Sequence, residues 1–111
     1  MSEPRDRLVV TDNPDESRFE GWLDERMVAL SAYELPRPDV IRFLHTEVDP
    51  EFEGQGIGSV LASTALDQVR ARGLRVVARC PFIAAYIRRH REYADLVLRS
   101  NLGRTGDDAS T

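Results

Sequence analysis

The chain predicts an α/β fold on a mixed sheet: an antiparallel meander, then a helix, a parallel strand and a second helix. Three observations carry this. Three segments of alternating apolar and polar residues follow one another with only short turns between, the pattern of antiparallel neighbours. A glycine-punctuated loop then runs into an amphipathic helix. Beyond that helix lies a short apolar run, which reaches the preceding strand only through a crossover and therefore pairs parallel to it.

Residues 8–11 (Leu-Val-Val-Thr) read as a short first strand, and Asn13-Pro14-Asp15 as a turn. Residues 17–24 alternate, with Phe19, Gly21 and Leu23 on one face, before a hairpin turn at Asp24-Glu25. The strand at 26–35 puts Val28, Leu30 and Ala32 on one face and Met27, Ala29 and Tyr33 on the other. Pro36-Arg37-Pro38-Asp39 breaks it, and residues 40–48 alternate again. The helix at 57–72 gathers Ile57, Leu61, Ala65 and Val69 on one stripe. Gly73 is its C-cap, and Arg70 and Arg72 complement its C-terminal dipole. Residues 75–80 form the parallel strand, and Pro81 suits the first position of a helix running to about Arg89. Residues 92–98 fit either a last short helix or an edge segment. Residues 1–99 thus make one domain, and the polar residues 100–111 read as a disordered tail.

At 111 residues the chain is long enough for one modest core, and 41% hydrophobic with 31% charged residues is ordinary for a soluble globular protein. It contains no apolar run of the ~18 residues a membrane span needs. The polar N-terminus lacks a signal-peptide core, and the single cysteine, Cys80, fits a reducing compartment, so a cytoplasmic location is expected. One Cys and two His make no metal site. The net charge of −4 hides an asymmetry: residues 1–54 carry 14 acids against 6 arginines, and residues 74–99 carry 6 arginines against 2 acids. A basic C-terminal part suits an anionic cofactor and an acidic N-terminal part a cationic amine, although scattered solvated charge accounts for the same numbers. Neither half has the clustered basic surface of a nucleic-acid binder.

Residues 50–61, Pro-Glu-Phe-Glu-Gly-Gln-Gly-Ile-Gly-Ser-Val-Leu, carry the main functional signal. Gly54, Gly56 and Gly58 let backbone approach a ligand, and the helix starting near Ile57 offers unpaired N–H groups and the positive end of its dipole. The dinucleotide fingerprint fails because Ser59 stands where its third glycine belongs, and the P-loop fails because the chain has no lysine. Two readings stay open. Either the amides of Gln55, Gly56, Ile57, Gly58 and Ser59 cradle a pyrophosphate, or the glycines merely relieve strain at a helix entry.

The run His45-Thr46-Glu47-Val48-Asp49-Pro50, the Gly-Gln-Gly-Ile-Gly loop and the segment Cys80-Pro81-Phe82-Ile83-Ala84-Ala85-Tyr86-Ile87-Arg88-Arg89-His90-Arg91-Glu92-Tyr93 together resemble the small GNAT-like N-acetyltransferase family. This is a compact branch of the acetyl-CoA-dependent acetyltransferases, and the resemblance covers about residues 8–98. It implies a GNAT-like acyl-CoA N-acyltransferase fold in truncated form, in which two parallel strands splay and the acetyl-pantetheine arm lies in the V between them. It implies acetyl-CoA as cofactor and an amine, small molecule or protein, as acceptor. Full-length members carry further C-terminal strands, so a shallow or partner-completed pocket is expected. The family loop Q/R-x-x-G-x-G/A falls on Glu53 to Gly58, with Glu53 departing from the usual Gln or Arg. The carboxylate base common in the superfamily falls near Val40.

Cys80 ends the parallel strand and caps the next helix, where the dipole and Arg79 favour a thiolate able to accept acetyl or act as a base. The competing role is a buried cysteine filling an apolar site. His45 alternates with Ile41 and Phe43 and is expected on their face, as a core histidine or as a general base, with Glu47 two residues on orienting it or taking the proton. Arg88 and Arg89 either end a helix at its negative pole or bind the cofactor's 3′-phosphate, while Tyr86 and Ile87 serve packing. Functionally the sequence supports an acetyl-CoA-dependent N-acetyltransferase, or alternatively a non-catalytic acyl-CoA-binding or protein-interaction module on the same fold.

Overall fold

A computed structural model describes residues 3–98; the tail predicted at 100–111 lies outside the described residues. One five-stranded sheet runs in chain order: β1 (Val9–Asn13), β2 (Arg18–Leu23), β3 (Arg26–Arg37), β4 (Val40–Val48) and β5 (Arg75–Ala78). The first four strands are antiparallel neighbours, and β5 pairs parallel to β4. The crossover is the helix α2 (Ile57–Ala71), and α3 (Pro81–Arg89) follows β5. A one-turn helix α1 (Pro4–Arg7) and two 3₁₀ turns, Pro50–Phe52 and Arg91–Leu96, complete the chain. The fold class is as the alternation and the crossover predict.

The helices gather on one face of the sheet. Leu61, Leu66 and Val69 of α2 and Ile83 of α3 are fully buried there against Phe19, Ile41 and Phe43. Each such side chain contributes about 1.5–3 kcal/mol by leaving water. The rings of Phe19, Tyr33 and Phe43 pack with centroids 5.4–6.5 Å apart across three strands. The Arg91–Leu96 turn docks beside α2 through Tyr93 Oη to Asp67 (2.7 Å) and a two-bond Arg70–Asp95 pair (2.9 Å each). The segment left ambiguous in sequence is thus a 3₁₀ turn followed by a single bridge, Val97 to Val76.

Besides a register shift between Gly21 and Trp22 that leaves Val28 as an extra residue in β3, two irregularities depart from simple alternation. In β3 the strand continues through Pro36 to Arg37 instead of breaking. The register shifts between Glu34 and Arg37, so the ladder skips Leu35 and Pro36 and the missing proline N–H leaves no gap. In β4, Ala32 pairs with His45 but Tyr33 pairs with Phe43, so Leu44 is an extra residue in a bulge. That insertion reverses the side-chain parity. Phe43 faces the core, yet the next residue on that face is Thr46, not His45. The expectation that His45 shares the face of Ile41 and Phe43 is therefore corrected: His45 and Glu47 project from the opposite face and are exposed.

That opposite face carries Thr11, Glu20, Leu30 and Glu47 in register across four strands, with Arg18, Ala32 and His45 beside them. Glu20 is only 5% exposed and accepts hydrogen bonds from Asn13 Nδ2 (2.9 Å), Arg18 Nε (2.7 Å) and Trp22 Nε1 (3.1 Å). The Arg18 bond above all, against the cost of burial, holds its carboxyl below the usual range. A lowered folded pKa contributes stability above the unfolded value of about 4.3 and loses it as pH falls through the folded value. No helix among the described residues is long and apolar enough to cross a membrane. Glu20→Gln should cost about 1–3 kcal/mol in urea unfolding at pH 7, because three donors lose a charged acceptor. The deficit should shrink as pH drops below about 4; a cost unchanged at acid pH would show that the charge of Glu20 contributes nothing.

Candidate functional site

The loop after β4 is fastened before it becomes glycine-rich. Asp49 N–H donates to Val28 O (2.8 Å), and the Asp49 carboxylate accepts Glu51 N–H (2.9 Å). Arg26 bonds Asp49 (2.5 Å) and Glu51 (3.1 Å) and lies 5.4 Å over the Phe52 ring. The Glu51 N–H, then Arg26, hold the Asp49 carboxyl below its ordinary range. From this anchor the backbone enters Gly54 (φ 79°) and Gly56 (φ 82°), left-handed positions that other residues adopt only with strain.

Gly56 is the N-cap of α2 and has no side chain to cap it. The first helical bond runs from Val60 N–H to Gly56 O (3.1 Å). Among the described residues no acceptor takes the amides of Ile57, Gly58 and Ser59. Three N–H groups and the positive end of a 15-residue helix thus converge on one spot. They border a cavity of about 340 Å³ walled by Thr46 and Val48 of β4, Phe52, Glu53, residues 56–59 and Phe82. The Phe82 ring rests on the backbone of Gly58, where a Cβ would stand 2.7 Å from Cζ. Gln55 takes no part in the lining; its side chain reaches back to Glu51 O at 3.5 Å.

The cavity lies where two strands separate. β4 and β5 pair from Val40–Arg75 to Phe43–Ala78 and no further. Phe43 O then accepts both Arg79 N–H (3.0 Å) and Cys80 N–H (2.9 Å), which turns the chain into α3, while β4 continues beside β3 alone. The divergence begins at the Leu44 bulge.

Cys80 caps α3 and is 1% exposed, its Sγ 3.5 Å from Ile83 N and 3.2 Å from Thr46 Oγ1. Thr46 Oγ1 is also 3.0 Å from the fully buried Ser31 Oγ. The sulfur therefore stands just behind a cavity wall, at the end of a Ser31–Thr46–Cys80 chain of polar groups. Ser31 and Thr46 escape a sequence reading because strict alternation sends Thr46 to the other face; only the bulge brings it here. His45 Nε2 lies 3.1 Å from Glu47 Oε2, across the sheet from this cavity.

Arg88 and Arg89 occupy the last turn of α3, at the opposite end from Phe82, and Arg88 borders a separate cavity of about 220 Å³ with Arg91 and Val97. The structure does not bring them to the glycine loop. Tyr86 and Ile87 are buried in the core, Tyr86 stacked on His90 with centroids 3.9 Å apart. Among the described residues no cluster of three or more His, Cys, Asp or Glu side chains is placed to hold a metal ion.

Residues 18–96 match the family model described as GCN5-related N-acetyl-transferase. The solution structure of a Staphylococcus aureus protein named as a GCN5-like N-acetyltransferase is similar at TM-score 0.65 and 27% identity, over 83% of this chain and 89% of that one. The crystal structure of Ard1 from Thermoplasma volcanium shares the fold at TM-score 0.53 and 24% identity, over 71% of this chain and 55% of that one. No curated protein matches the sequence.

Gly58→Ala should force the Phe82 ring outward and cost about 1 kcal/mol by overpacking. The same change in a Phe82→Ala background should cost nothing, a coupling of at least ~0.5 kcal/mol in a double-mutant cycle of unfolding free energies. Additive losses would mean that the ring and the loop backbone do not touch.

Proposed function

Because the chain belongs to the GCN5-related N-acetyl-transferase family, we propose that it binds acetyl-CoA and passes the acetyl group to an amine. The observation that carries this is the meeting of three unpartnered helix amides with the gap between β4 and β5 in one cavity. The residues present fit the cofactor. Amides of Ile57, Gly58 and Ser59, in the turn formed by Gln55 and Gly56, have no acceptor among the described residues and suit a diphosphate, and the Phe82 ring covers the Gly58 backbone where a Cβ would otherwise stand. Val48, Phe52 and Phe82 offer the arm an apolar wall. When bound, the cofactor supplies an acetyl group activated as a thioester.

The chain's own groups then divide by face. On the helix side Thr46 lines the cavity and hydrogen-bonds Cys80, the only thiol in the chain and the group we assign to the acetyl end. On the open side, with Nε2–H donated to Glu47, His45 carries its lone pair on Nδ1 and can take the proton an ammonium acceptor must lose. An acceptor approaching from that face meets the exposed Glu47 carboxylate as well, which favours a cation. Arg88 and Arg89 would serve only a phosphate remote from the loop.

A second reading, binding without turnover, draws on Glu53, a carboxylate in the wall of a cavity that is to hold an anion. Two measurements decide. Acetyl-CoA at 100 times its Kd should raise stability by about 2.7 kcal/mol in thermal unfolding, and no shift with acetyl-CoA or CoA would remove both readings. Release of CoA thiol with a panel of amines should fall at least ~100-fold in His45→Ala and in Cys80→Ala. Undiminished turnover in both would discard the site assignment, and binding by a wild-type protein that turns over no amine would favour the second reading.

A further inference from the structure

We propose that Arg5, on the short helix ahead of the family-matched region, supplies the side-chain cation for the cofactor diphosphate. This rests on the acetyl-CoA reading of the glycine loop and adds a residue to it. The guanidinium lies over Gly56: a Cβ built on that glycine would meet Arg5 Cδ at 3.0 Å and Nη1 at 3.5 Å. Gly56 directly precedes the three amides without acceptors, so the cation stands one residue from the helix N-terminus, at the edge of the cavity and outside its lining. The position normally expected to give a polar or cationic side chain in this loop is Glu53, a carboxylate in the cavity wall. Arg5 supplies from another element the charge that Glu53 cannot.

The segment is built to hold Arg5 there. Pro4 occupies the first turn of α1 with its φ already helical, and Glu3 and Asp6 close a capping box, Asp6 N–H to Glu3 O at 2.9 Å and Glu3 N–H to Asp6 Oδ2 at 3.2 Å. Leu8 then packs against the core, its methyl carbons 3.3–3.4 Å from where a Cβ on Gly21 would be. Leu8 therefore pins one end of α1 to β2, and Arg5, one helical turn earlier, is laid on the loop. Among the described residues its ion-pair partner is Glu3 at 3.4 Å, with both side chains about half exposed, a surface pair too weak to hold it from a diphosphate.

The test is calorimetric binding of CoA and of 3′-dephospho-CoA to the wild type, Arg5→Gln and Arg5→Lys, each checked for wild-type thermal unfolding. Loss of a charge-assisted hydrogen bond should weaken both ligands about tenfold or more in Arg5→Gln. Arg5→Lys, which keeps the charge, should lose less than about threefold. Unchanged affinity in Arg5→Gln would overturn the proposal. Equal losses in both variants would also overturn it, since they would mark packing of α1 and not charge. A loss for CoA alone would move the contact to the 3′-phosphate and overturn the diphosphate assignment. A wild type that binds neither ligand would instead defeat the cofactor reading itself.

Discussion

Leu44 is one residue more than β3 has places for, and much of the molecule's arrangement follows from accommodating it. A bulge bends the strand that carries it and increases its twist. Here the bulge coincides with the last β4–β5 pair, so the bend takes β4 away from β5 where β5 ends. The carbonyl of Phe43, the last paired residue, is used twice to turn the other strand into α3. β4 keeps its pairing to β3 on the far side, while its backbone groups that face the gap beyond Phe43 are left without ladder partners among the described residues. The same insertion exchanges which residues face the helices, placing Thr46 beside Cys80 and sending His45 and Glu47 through to the open face.

A gap alone would be only a groove; the loop makes it selective. Backbone N–H groups can serve as a binding surface only if nothing in the chain itself consumes them, and N-caps usually do. Gly56 cannot, having no side chain, and its left-handed backbone turns the chain into α2 at a φ that a capping Ser or Asp would adopt only with strain. The cost of that unsupported turn is met upstream, where Arg26 ties Asp49 and Glu51 together and covers Phe52. A loop that flexed would present its amides in many directions; one held at its root presents them in one.

The parts of this that were legible in the sequence are those governed by local chemistry. Meander, crossover helix, Gly73 at the helix end and the Pro81 helix start all follow from periodicity and from what glycine and proline do to the backbone. The glycine loop was visible for the same reason. What strict period-2 counting could not supply was register. Nothing in Arg42-Phe43-Leu44-His45-Thr46 announces an extra residue, since a bulge is decided by two strands at once and each looks regular by itself. One slip of parity put His45 in the core and hid Thr46 and Ser31. Pro36 misled in the opposite direction, suggesting a break where a second register shift lets the strand pass through. Arg5 was illegible because its neighbour is 51 positions away in the chain, brought there by Leu8 seating on β2.

The one-sided packing has a chemical consequence. With every helix on one face, the cavity wall on that side is apolar and shaped, made of Phe52, Phe82 and Val48 around oriented amides. The other side of the same gap is a sheet surface on which His45 and Glu47 are exposed, set by strand register and not enclosed by a helix. A ligand entering from the helix face is therefore recognised by shape and by fixed donors, whereas one arriving from the open face is recognised mainly by charge and by a few exposed polar atoms. Charge recognition in water is weak and falls with ionic strength, while amides at a helix terminus keep their direction. If an amine is the acceptor, the same sheet would bind its acyl donor tightly and choose its acceptor loosely.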